Sequence, residues 1–71
     1  MTMYDLLDLY AGQLPDNWEY ALSRAIAHPE REWRYGALIR HKRTGLYAMC
    51  CAGVVSSVPR RWAQKQIEEE K

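Results

Sequence analysis

The side chains of this sequence that could carry out chemistry are two cysteines, two histidines, a few serines and nine carboxylates. A nucleophile needs a base within reach and a third group to orient that base. Cys50, Cys51, Ser56 and Ser57 could attack and His28 and His41 could take the proton, but these residues fall in separate segments and no spacing draws them together. Serines just before a helix ordinarily serve as caps and turn residues. The carboxylate pairs Asp5/Asp8 and Asp16/Glu19 have the i, i+3 spacing of acid–base partners. Both pairs also stand where first turns of helices are expected, and negative charge there complements the helix dipole. Gly12, Gly36, Gly45 and Gly53 are isolated, so there is no glycine-rich phosphate loop. Cys50 and Cys51 are adjacent, which defeats disulfide geometry, and they lack the Cys-x-x-Cys spacing of zinc and redox sites. They read as small apolar strand residues. No catalytic residue, metal or other cofactor is expected, and the chain is not expected to be an enzyme.

The cations say more. The formal charge is +1, yet residues 1–30 set one base, Arg24, against five acids, a net −4. Residues 31–65 set eight bases against Glu32 alone, a net +7, and residues 66–71 return −2. Arg40, His41, Lys42 and Arg43 crowd one polar loop, with Arg34 upstream and the aromatic residues Trp33 and Tyr35 interleaved. Such a finger can lie along phosphates or against acidic side chains of a protein. Arg60 and Arg61 add a second signal, because they fall in the first turn of a predicted helix whose last turn holds Glu68, Glu69 and Glu70. The dipole disfavours both placements, which suggests that the arginines answer to something other than helix stability. Tryptophan and tyrosine bury a large apolar body and keep a polar handle, as interface anchors do. Trp18 and Trp62 are expected in the core. Trp33 and Tyr47 are expected beside the basic loop, so the predicted contact residues are Trp33, Arg34, Arg40, Lys42, Arg43, Tyr47, Arg60 and Arg61.

These residues must be positioned by a handful of elements. Thr2 caps a first helix with Asp5 three residues on, Met3, Leu6, Leu7 and Tyr10 follow at helical spacing, and Gly12 stops it. Pro15 and Asp16 open a predicted second helix, with Trp18, Ala21, Leu22, Ala25 and Ile26 on one face and Pro29 as its end. The period then shifts towards two. Trp33 to Arg40 forms a strand, His41 to Gly45 a hairpin loop, Leu46 to Ala52 the return strand, and Ala52-Gly53 a tight turn into Val54 to Val58. Pro59 suits the first turn of a last helix that turns Trp62, Ala63 and Ile67 inward. The expected fold is α+β in the order ααβββα, with the second helix covering one face of a three-stranded antiparallel meander. The other face, Leu38, Tyr47, Met49 and Cys51 or their alternates, is expected to be open and to mark a dimer or partner surface.

Seventy-one residues suffice for one small domain, 1–71, and the composition, 48% apolar and 27% charged, is that of an ordinary globular chain. No run of about 18 apolar residues spans a membrane and no basic leader precedes the first leucines, so the expected compartment is the cytoplasm. In size, topology and uneven charge the chain resembles small phage and mobile-element accessory proteins, the anti-CRISPR proteins among them. The resemblance rests on general make-up and on no motif. It implies a non-enzymatic inhibitor that occupies a site on a bacterial defence or other host complex, with Arg40, Lys42, Arg43, Arg60 and Arg61 against acidic partner residues. The alternative expectation is a small nucleic-acid-binding protein, although no helix-turn-helix, zinc-finger or aromatic RNP pattern is visible.

Overall fold

A computed structural model describes residues 2–70, and along them run α1 (Met3–Ala11), β1 (Trp18–Tyr20), β2 (Ile26–Ala27), β3 (Tyr35–His41), β4 (Tyr47–Cys51), β5 (Val54–Ser57) and α2 (Arg60–Glu70). The fold is α+β. All strand pairs are antiparallel, in the order β1-β3-β4-β5, with β2 joining β3 along the same edge as β1. β3 is the central strand. Its residues Gly36 to Ile39 are buried on both faces, so both of its edges need partners for their backbone groups. β4 supplies one edge, pairing Leu38 with Met49 and Ile39 with Ala48. β1 and β2 together supply the other.

The predicted second helix is therefore not there. The Leu-Pro-Asp-Asn-Trp stretch makes a turn in which the Trp18 amide donates to the Pro15 carbonyl and Asn17 takes a positive φ of 70°. Asp16 and Glu19, expected in the first turn of that helix, fall in this turn and in β1 instead. Trp18 and Tyr20 then alternate onto one face, while Leu22 and Ile26 pack on the opposite one. After the Ala21 amide bonds to the Leu38 carbonyl, the chain bows away and rejoins β3 at Ile26 opposite Gly36. The physical reason is tertiary: Trp-Glu-Tyr suits a strand as well as a helix, and the second edge of β3 decides between them.

The sheet has a helix on each face, so the expected open face is a correction as well. α2 covers Leu22, Ile26, Leu38, Met49 and Cys51, with Ala63 buried and Trp62 and Ile67 packed alongside as predicted. α1 covers Ala37, Ile39, Ala48 and Cys50 with Leu7 and Ala11. Burial of side chains such as Leu38, Ile39 and Met49 contributes about 1.5–3 kcal/mol each. The inward stripe of α1 is thus Leu7 and Ala11. Leu6 and Tyr10, expected inward, are exposed. The β4–β5 turn matches expectation, Ala52 and Gly53 both having positive φ, and its two amides donate to the Tyr10 and Ala11 carbonyls at the end of α1. One tight turn thereby also satisfies orphan carbonyls of the helix.

Candidate binding surface

The β3–β4 connection is built around an imidazole. Nδ1 of His41 accepts from the Arg43 and Thr44 amides, both at 3.2 Å, and Gly45 takes a φ of 73° to bring the chain back. The Gly45 amide donates to the His41 carbonyl and the His41 amide to the Leu46 carbonyl, which closes the turn. A further bond from the Lys42 amide to the Asn17 carbonyl ties the turn to the segment before β1. Lys42 and Arg43 stand exposed on this fixed backbone. His41 is accordingly a structural acceptor here, packed edge-on against Trp18 at 5.0 Å between ring centroids.

The meander carries a second pair of cations to the same end. Ser57 at the end of β5 pairs with Ala48 at the start of β4, and the Val58 amide donates to the Tyr47 carbonyl. α2 starts two residues later, with Pro59 accepting from the Ala63 amide and exposed Arg60 and Arg61 filling the first turn. No acid lies in that turn and no base in the last one, so both ends of α2 oppose the dipole. Arg40 completes the set. Its Nε lies 3.4 Å from Glu19 across the β1–β3 pair, and among the described residues this is the one ion pair. Lys42, Arg43, Arg60 and Arg61 have no carboxylate partner among those residues.

The structure does not bring the other predicted contacts to this end. Trp33 and Arg34 precede β3 on the β2–β3 loop, at the opposite end of the sheet. There Trp33 is 76% exposed and the Arg34 guanidinium lies 5.9 Å from its ring centroid, a cation–π contact. Tyr47 is at the basic end but half-buried, and with Arg40, Glu19 and Ile67 it lines a groove of about 310 Å³. A larger cleft of about 400 Å³ lies between β2 and α2, lined by Arg24, His28, Glu32, Trp62 and Gln66 among others. Sequence reasoning missed it, because a second helix over Asp16 to His28 would have scattered those residues.

The groups considered for chemistry sit apart. Cys50 points to the α1 face, its Sγ 3.2 Å from the Ala11 carbonyl, and Cys51 points to the α2 face. Both are free thiols, and burial pushes both above the ordinary thiol pKa. Asp5 forms the predicted capping box: Thr2 N–H donates to its carboxylate at 2.9 Å, and its own amide donates to the Thr2 hydroxyl at 3.2 Å. Those bonds to Thr2 hold the carboxyl below its ordinary pKa. Asp8 accepts from the Tyr20 hydroxyl and so ties α1 to β1. Among the described residues no group of three or more His, Cys, Asp or Glu could hold a metal ion, and no helix is long and apolar enough to cross a membrane. No family model, curated protein or solved structure matches the chain.

Proposed function

We propose that the chain is a non-enzymatic binding protein that grips an acidic surface of a macromolecular complex with the cations at one end of its sheet. The complex it occupies is thereby inhibited or regulated. One observation carries this reading: the β3–β4–β5 register delivers Lys42, Arg43, Arg60 and Arg61 to the same end of the sheet, exposed and without carboxylate partners among the described residues. A helix that sets arginines in its first turn is giving up about 0.3–1 kcal/mol per charge at an exposed site, which a partner's acidic groups would recover on binding. Arg40, already engaged by Glu19, plays a secondary part and shapes the groove beside Tyr47. The resemblance in size and uneven charge to anti-CRISPR and related accessory proteins favours a protein complex of bacterial defence as the partner. That partner would present an acidic, nucleic-acid-mimicking groove.

Capture from bacterial lysate, with and without nuclease, tests the reading. A defined protein complex that survives digestion and is lost with Lys42→Glu/Arg43→Glu is the expected result. Partners that vanish on digestion would instead make phosphate the ligand, and binding would then fall steeply with salt while tolerating any base sequence.

A further inference from the structure

The cleft between β2 and α2 is separate from the basic end, since it opens where β3 begins and not where it finishes. Its volume, about 400 Å³, falls in the range of small-molecule sites. The decisive group is His28, which is 8% exposed and lines the cleft. Its Nδ1 accepts from the Glu30 amide at 3.1 Å, so in the neutral ring the hydrogen sits on Nε2. Among the described residues no acceptor takes that hydrogen, and no buried side-chain nitrogen or oxygen lacks a partner, so Nε2 keeps contact with solvent. A ring packed into the cleft lining thus keeps one N–H donor free for a ligand. Arg24, exposed on the excursion between β1 and β2, adds a guanidinium without a carboxylate partner among the described residues. Trp62 and Gln66, one turn apart on α2, supply a half-buried aromatic wall and a carboxamide, and Glu32 stands at the exposed rim.

We infer that this cleft binds a carboxylate carried on a flat apolar body. The guanidinium fork and the imidazole N–H match the two oxygens of a carboxylate, and the indole of Trp62 takes the attached ring. Glu32 repels a second negative charge, so a monoanion is preferred to a phosphate dianion. Two sources share this chemistry, a free aromatic acid and the C-terminal carboxylate of a chain ending in an aromatic residue.

The test is a titration of the whole chain with sodium benzoate, following the indole N–H signals of its three tryptophans, each assigned with a Trp→Phe variant. The Trp62 signal should move saturably with a dissociation constant on the order of 1 mM, as suits so small a ligand. Sodium acetate, which lacks the ring, and benzyl alcohol, which lacks the charge, should leave the signal in place at the same concentrations. Arg24→Gln should weaken benzoate roughly tenfold, and Gln66→Leu less, in chains whose remaining signals are unchanged. Tighter binding of N-acetylphenylalanine than of benzoate identifies a chain terminus as the source, and weaker binding a free acid. A Trp62 signal that stays still up to about 20 mM benzoate would overturn the inference. So would undiminished affinity in folded Arg24→Gln, or tighter binding of phenyl phosphate than of benzoate.

Discussion

At the residue scale, the strongest constraints come from side chains that have no room to change. A Cβ on Gly36 would strike the Cys50 carbonyl oxygen and the Cys51 sulfur of the neighbouring strand β4, the first of them a backbone atom held by the sheet. Gly36→Ala should therefore destabilise the fold by about 1–3 kcal/mol, seen as a lower denaturation midpoint with an unchanged slope. A midpoint equal to wild type would show that β3 and β4 are not packed as described. The adjacent cysteines offer a second check. Because Cys50 and Cys51 are buried on opposite faces and burial raises both thiol pKa values, neither should react with a thiol reagent in the native chain near neutral pH. Both should react once the chain is unfolded, and rapid native labelling of either would contradict its placement. The sequence already marks these cysteines as strand residues without metal or disulfide chemistry. It does not mark His28 as a cleft residue, because Trp62 and Gln66, which line the same cleft, lie more than thirty residues away in the chain.

At the element scale, what is legible in the sequence is what is decided locally. Thr2 and Asp5 announce the start of α1, Ala52-Gly53 announces the β4–β5 turn, and Pro59 announces α2, because caps and tight turns are fixed by a few neighbouring residues. The segment Asp16 to Ile26 is legible only with β3 in view, since its apolar spacing fits a helix and its Trp-Glu-Tyr core fits a strand. Two helix predictions follow. The Asp5 carboxyl has a lowered folded-state pKa, so its contribution to stability is present above the ordinary carboxylate value and is lost as pH falls through the folded value. Acidification through that window should fray α1 in wild type, seen as lower amide protection factors at Leu6 and Leu7 after the intrinsic slowing of exchange in acid is divided out, whereas Asp5→Asn should show the frayed behaviour at every pH. In α2 the first turn is the wrong sign for the dipole, so Arg60→Glu/Arg61→Glu should stabilise the fold by roughly 0.3–1 kcal/mol per charge, seen as a higher thermal midpoint. A fall in that midpoint would mean that the arginines have favourable contacts within the fold.

At the scale of the whole molecule, the charge asymmetry of the sequence becomes an asymmetry of position. The basic loop was legible as a hairpin, and the antiparallel meander then requires that α2 begin at that same end, which unites Lys42 and Arg43 with Arg60 and Arg61. Trp33 and Arg34 could not be placed from the sequence, because β3 starts at Tyr35 and leaves them on the loop at the far end. With a helix over each sheet face, the open apolar face expected from a three-stranded meander is absent, and the proposed contact surface is an end of the sheet. The central claim is that this end recognises an acidic protein surface, and it is tested most directly by the affinity of the purified, nuclease-treated partner complex for wild type and for Lys42→Glu/Arg43→Glu/Arg60→Glu/Arg61→Glu. Wild type should bind and the folded variant should lose about 2 kcal/mol or more, a loss of at least roughly thirtyfold. Equal affinity in the folded variant would contradict the account.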